Sequence, residues 1–251
     1  MIAELSFQDL AVIAGAIAFG GFVKGITGLG LPVLAIPIIA GFLDVQHAVI
    51  VLVIPGIVLN VWLTWNHRDK ATEIPEMAVF LTFTCVGVLF GTVVLYLASE
   101  RFLNSVLAAW IAVYLVVQIA APDFRLEMRT RTRFAPYVGA LAGLFQGSTG
   151  ISGSVIATYF HSLRLAPTTF VFAVAAPFLV MAVAHCVTLI MFGMYTRQLV
   201  LQSFIALVPA LVSITLGMRL RRYVNERNFN HLILGLLLLV GVRLIYVTWL
   251  R

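Results

Sequence analysis

The chain reads as an all-α polytopic membrane protein made of two inverted five-segment repeats. Three observations predict this. Of 251 residues, 62% are apolar and 10% charged, where a soluble domain carries roughly 45–50% and about 25%. Apolar stretches approaching the ~20 residues of a transmembrane helix follow one another with short polar loops between them. The opening of the first half also recurs in the second, Gly21 matching Gly143 at an interval of 122 residues.

Ten segments are predicted, at 7–28, 29–43, 46–65, 77–98, 102–121, 135–150, 151–163, 167–193, 198–217 and 231–250. Each is apolar on most faces, so its helical character is read from its length. Eight to ten of them make membrane helices, with a Gly-rich broken or re-entrant hairpin opening each half. The loops 66–76, 122–134 and 219–228 are too short to be domains. The expected division is a first repeat over 1–121, a cytoplasmic basic linker over 122–134 and a second repeat over 135–251. Glu4 and Asp9 stand where a signal peptide would be basic, so no cleaved signal is expected. Cys85 and Cys186 lie in apolar segments and suggest no disulfide framework.

The repeat aligns GFVKGITGLGLPVLA (21–35) with GLFQGSTGISGSVIA (143–157) without gaps. Gly21, Gly25, Thr27, Gly28, Val33 and Ala35 match Gly143, Gly147, Thr149, Gly150, Val155 and Ala157, and Pro55 meets Pro177 further on. Five segments per half is an odd number, which inserts the halves with opposite orientation. Basic residues agree with this. Alternation through ten segments places loops 66–76, 122–134, 164–167 and 218–230 on one side, with eleven basic residues against Arg101, Arg197 and Arg251 on the other. By the positive-inside rule the first side is cytoplasmic and both termini are periplasmic. The net charge of +6 is therefore read as an orientation signal, and no nucleic-acid partner is expected. Within the second copy, 135–163, each arm is ~20 Å long, short of a ~30 Å core. A hairpin with its glycine tip near the midplane is expected in preference to two thin spans.

The tips GITGLGLP (25–32) and GSTGISGS (147–154) each open a new helical segment. The first N–H groups of a helix lack intrahelical partners and carry partial positive charge, and glycine lets a ligand approach the backbone. Gly25, Gly28, Gly30, Gly147 and Gly150 are candidate anion contacts on this basis, with Thr27, Ser148, Thr149, Ser152 and Ser154 adding hydroxyls. The competing role of these glycines is close helix packing through small-xxx-small contacts, as at Gly21/Gly25 and Gly143/Gly147. No Asp or Glu falls mid-segment, but Lys24 does, and its repeat partner is Gln146. An intramembrane lysine is a functional candidate by default; snorkelling is the alternative and is the expectation for Arg243 near Tyr246 and Trp249. His185, deep in the eighth segment, is read as an anion donor or proton carrier against a packing histidine. Asn60 lies at similar depth in the other half. A core rich in donors and free of carboxylates suits an anion. An intramembrane serine hydrolase using Ser148 and His185 is the enzyme alternative. It is disfavoured because the first copy has no matching serine and Leu63 stands where His185 would be.

On the paired glycine stretches, the proline after the first (GITGLGLPVLAIP, 25–37), the length and the segment pattern, the chain resembles the sulfite exporter TauE/SafE family of membrane transporters. The resemblance covers nearly the whole chain. It implies movement of a small sulfur-containing anion, sulfite or an organosulfonate, across the bacterial inner membrane. The combined expectation is a secondary transporter, not an enzyme, working by alternating access, with no metal and no cofactor. A passive anion channel is the alternative. Its partners are the anion and membrane lipid, and a homo-oligomer is compatible with the sequence.

Overall fold

The computed structural model describes residues 7–27, 31–120, 128–224 and 226–249. These residues form ten α-helices and two short 3-10 turns, with no strand among them. The helices are α1 (Phe7–Thr27), α2 (Leu31–Ala40), α3 (Val45–Asn66), α4 (Met77–Leu97), α5 (Glu100–Ala120), α6 (Met128–Thr149), α7 (Gly153–Ser162), α8 (Pro167–Met191), α9 (Arg197–Leu220) and α10 (Glu226–Trp249). The ten predicted segments correspond one to one with these helices. Within the described residues five stretches are long and apolar enough to cross a membrane: Gln8–Ile26, Val45–Asn66, Met77–Leu97, Pro167–Met191 and Arg197–Tyr223. Large apolar side chains such as Phe90, Leu97, Val116, Met191 and Val208 are exposed on the helices, as a lipid-facing surface requires. Two helix starts differ clearly from expectation: α10 begins at Glu226, five residues before the predicted 231, and α6 differs by more. Helix α6 begins at Met128, seven residues before the predicted 135, because arginine is a good helix former and Arg129–Arg133 continue the turn outward. Residues 122–127 of the expected linker lie outside the described residues.

The chain divides into two compact units, and each draws on both halves of the sequence. The first unit is Met1–Leu52, Ser99–Ala120 and Arg197–Arg251; the second is Val53–Ala98 and Ala121–Thr196.

In the first unit α1 packs on α9 and α2, and α10 packs on α5 and α2. A Cβ on Gly21 would lie 2.2 Å from Ser213 Oγ, and one on Gly25 would lie 2.4 Å from the Ile214 carbonyl and 2.9 Å from Gly217 Cα. Rising residue numbers meet rising residue numbers, so α1 and α9 run parallel. Ser203 Oγ donates to the Ile50 carbonyl, tying α9 to the start of α3. Arg243 donates from Nε to the Gly41 carbonyl at 3.2 Å just past the end of α2. Its guanidinium lies 3.6 Å from the Phe42 ring centroid. The carbonyl end of a helix attracts a cation, which favours this pairing. Trp249 pairs with Arg101 instead, 5.2 Å from its ring.

In the second unit α4 packs closely on α6 and also on α8. Added Cβ atoms on Gly139, Gly143 and Gly147 would lie 2.6, 2.1 and 2.4 Å from the carbonyls of Phe80, Thr84 and Val88, so α4 and α6 are parallel with almost no space between their backbones. Helix α7 then turns back. Tyr159 and Phe160 near its end stack on Phe80, with ring centroids 5.4 and 5.1 Å apart. The two arms form a hairpin whose tip, after Gly147, is level with Thr92 of α4. That is about 22 Å along a helix about 31 Å long. The tip therefore stops short of the end of α4 but passes its midpoint. The ten residues of α7 span about 15 Å, half a hydrocarbon core.

The start of α8 is anchored by Thr169, whose buried hydroxyl donates to Glu73 Oε2 in the 3-10 turn Arg68–Glu73. Lys70 Nζ reaches the other carboxyl oxygen at 2.9 Å. The Thr169 hydroxyl first, and Lys70 second, hold the Glu73 carboxyl below the usual glutamate range. A lowered folded value means that this contribution is present above the unfolded glutamate range and lost as pH falls through the folded value. Thr169→Val removes the larger cause. Thermal unfolding in detergent, followed from roughly pH 6 down to pH 3 across the ordinary glutamate range, is expected to show a shallower acid decline for the variant. Parallel declines would rule the contact out as a source of acid sensitivity.

Candidate functional site

The second tip is fully described. Helix α6 ends at Thr149, and Gly150 follows with φ 71°, a left-handed position that suits glycine. Its N–H donates to the Gln146 carbonyl at 3.0 Å and closes the helix. Ser152 occupies the N-cap of α7 but makes no side-chain cap. Its hydroxyl donates instead to Gln146 Oε1 at 2.8 Å, which pins the tip across its own turn. The first turn of α7 therefore does not rely on the Ser152 hydroxyl.

Ser148 and Thr149 are buried, at 4% and 0% exposure. Their hydroxyls donate to the carbonyls of Leu144 and Phe145 at 2.7 and 2.9 Å. Small hydroxyl side chains in apolar helices commonly bond back in this way. These two residues thus spend their protons on the α6 backbone. Gly147 faces α4, as does Gly143, and the missing Cβ is what admits the neighbouring backbone.

His185 lies on the buried stripe of α8 with Met181, Ala182, Thr188 and Leu189. Its exposure is 0%, and neither ring nitrogen has a hydrogen-bond partner. The Ser148–His185 dyad of the hydrolase alternative is not formed, because the Ser148 hydroxyl is committed to Leu144. Thr188, three residues on, bonds back to the carbonyls of Ala184 and His185. It also lies 3.2 Å, hydroxyl to hydroxyl, from Thr92 of α4. Gly147 packs against that same turn of α4, since its added Cβ would be 2.7 Å from the Thr92 N–H nitrogen. The tip, Thr92 and Thr188 thus share one level, and His185 sits about 4.5 Å along the axis from it.

Asn60 is buried at 4% exposure, and its Nδ2 donates to the Gly56 carbonyl at 2.7 Å. Gly56 lies beside Ala182. The end of α3 and the start of α8 both approach the Arg68–Glu73 turn, so the two helices are antiparallel. Asn60 then lies on one side of the Gly56–Ala182 level and His185 on the other, about 10 Å apart along the axis. The structure does not bring them together.

In the first unit, Lys24 sits half-buried in the last turn of α1. Gly25 packs against Gly217 near the end of α9. Thr27 closes α1, and Gly28 and Gly30 lie outside the described residues. Residues 25–27 thus approach the end of α9 that carries Arg219, Arg221 and Arg222. Sequence reasoning missed the Thr92–Thr188 pair and the contact of Arg243 with Gly41. Threonines are unremarkable in apolar helices, and both contacts join residues far apart in the chain.

The described helices, five of them long and apolar enough to cross a membrane, mark a multi-pass membrane protein. The chain matches the sulfite exporter TauE/SafE family over residues 13–244 and belongs to it. Comparison with curated proteins and with solved structures returned no match.

Proposed function

We propose that the protein is a secondary transporter that moves a small sulfur oxyanion, sulfite or an organosulfonate, across the bacterial inner membrane by alternating access. Membership of the sulfite exporter family across residues 13–244 carries this reading. The geometry supports a location for the anion. The start of α7 at Gly153, with Gly150 and Ser152 before it, offers the positive end of a helix beside Gln146. Ser148 and Thr149 shape that tip, and Gly147 allows it to lie against α4. In the sequence register of the repeat, Lys24, Gly25, Thr27, Gly28 and Gly30 correspond to that tip in the other half, with Lys24 supplying charge. His185 and Asn60 line the path at different depths.

The spacing of the helices supports an inverted repeat. Helices α2 and α7 begin at Leu31 and Gly153, and α3 and α8 at Val45 and Pro167, both 122 apart. The close contacts of α4 recur on α9 at an interval of 126, with Thr84, Gly87 and Gly91 matched by Ala210, Ser213 and Gly217. Helices α5 and α10 begin at Glu100 and Glu226, also 126 apart. Each half opens with a helix packed in parallel on the fourth helix of the other half, α1 on α9 and α6 on α4. Cation–aromatic pairs at Trp65–Arg68 and Tyr223–Arg222 fall on the side taken as cytoplasmic, in keeping with aromatic belts and the positive-inside rule.

The test is uptake of labelled sulfite and methanesulfonate into liposomes containing the purified protein. Saturable uptake above protein-free liposomes is expected for at least one of the two. Flux that rises without saturation would identify a channel, and no flux above background would refute the reading.

A further inference from the structure

Histidine buried in an apolar helix normally finds a hydrogen-bond partner, because an unmatched N–H or lone pair away from water is costly. His185 has none at either nitrogen and is fully buried. The groups that could charge it are remote. The described part of α4 carries only Cys85 and Tyr96 as titratable groups, α7 only Tyr159 and His161, and α8 only Cys186 besides His185 itself. On α3 beyond Val53 there is no titratable side chain. The arginines of α6 precede Phe134, more than three turns before Gly147, and Tyr137, the other titratable group of that helix, lies ten residues before Gly147. Glu76 and the Arg68–Glu73 turn lie at the other end of α4 and α8, 16 residues from Thr92 and from His185 respectively at Glu76 and Thr169. No counter-charge stands at the level of His185 among the described residues of these helices.

An oxyanion docked at the 150–153 tip would change this. Its level would lie about one helical turn along the axis from that of His185, counted from the Gly147–Thr92–Thr188 level, and on its way along α8 it would supply an acceptor for an imidazole N–H and favour the charged form of the ring. We propose that His185 is the proton-binding group of the transport site: its imidazole takes up a proton from the aqueous side on which the anion arrives, holds it as imidazolium beside the anion, and releases it with the anion on the other side. This rests on the transporter reading and adds its coupling ion, one proton per anion. Because linkage is reciprocal, the proton tightens the anion as much as the anion tightens the proton. Thr188 and Thr92 position the ring through the α8 turn and are not themselves proton carriers.

The experiment uses sulfite and the full chain in liposomes. External pH is held fixed, and with it the ionisation of sulfite outside, while internal pH is varied. Beyond the accumulation that re-ionisation of sulfite inside accounts for, an inside-alkaline gradient is expected to drive accumulation by about tenfold per pH unit, the ratio set by one protein-carried proton per anion. His185→Gln is expected to lose this dependence and equilibrate sulfite without the further accumulation. Wild-type protein that carries sulfite but shows no such further accumulation overturns the proton role, with no need of a variant, and leaves the transporter reading standing. A folded His185→Gln protein that still shows it also overturns the proton role. Wild-type liposomes that move no sulfite overturn both readings.

Discussion

Gly143→Ala is expected to force α4 away from α6 and to destabilise the protein by roughly 2–3 kcal/mol, the upper part of the usual range for overpacking. The added Cβ would lie 2.1 Å from the Thr84 carbonyl, 2.8 Å from the Val88 nitrogen and 3.0 Å from Gly87 Cα. All three are backbone atoms, so no side chain can rotate away to relieve the clash. The facing surface is itself glycine-rich, and Gly87 and Gly91 would meet the carbonyls of Ala140 and Leu144 at 2.2 and 2.3 Å. In a bilayer this contact is the source of association, because lipid offers the helices no hydrophobic drive to pair. Gly15→Ala and Gly235→Ala are the controls. Nothing lies within 4 Å of their added Cβ atoms, and alanine favours a helix over glycine by up to about 1 kcal/mol. Unfolding in mixed detergent micelles should therefore separate the three variants by sign as well as by size. Equal stability of Gly143→Ala and Gly15→Ala would sink the packing account.

Lys24→Ala is expected to reduce sulfite uptake at least tenfold, with Lys24→Arg keeping part of the activity. Two physical roles for the lysine must be separated here. It sits in the last turn of α1, where a cation is stabilised by the exposed carbonyls of the helix end by about 0.3–1 kcal/mol. A charge that meets an anion away from water is worth more, and losing one partner of such a pair typically costs about 2–5 kcal/mol. The first role predicts a small loss of stability with transport per folded molecule unchanged. The second predicts a large loss of transport with little change in stability. Uptake normalised to folded protein, read beside an unfolding curve, distinguishes them. Normal normalised uptake in Lys24→Ala would reduce the lysine to a helix-end charge.

Much of the fold was legible before any contact was known. The segment read at 77–98 is α4 at Met77–Leu97, and that read at 167–193 is α8 at Pro167–Met191. Apolar runs of this length are helical because a bilayer cannot satisfy an open backbone. Glycine-rich stretches signalled breaks after α1 and α6 for the same local reason. The start of α6 was misplaced because charge marks the membrane boundary and not the helix boundary. For the candidate site, the glycine tip and His185 were visible as residue types in unusual places. Their chemistry was not. Ser148 and Thr149 were read as hydroxyl donors, and their protons proved committed to α6. Arg243 was read as a residue reaching for the interface, and its bond to the Gly41 carbonyl was not legible in the sequence.

By itself the sequence determined the membrane character, the ten helices and the family, because those depend on composition, run length and short motifs along the chain. Only the tertiary structure decided which glycines are spent on packing, which hydroxyls are already paired and which buried nitrogen is left without a partner. Each of these depends on the partners the folded chain leaves to a group, as when Gly143 meets Thr84 or Thr92 meets Thr188, and a hydrogen bond or a steric gap exists only where folding places the second atom.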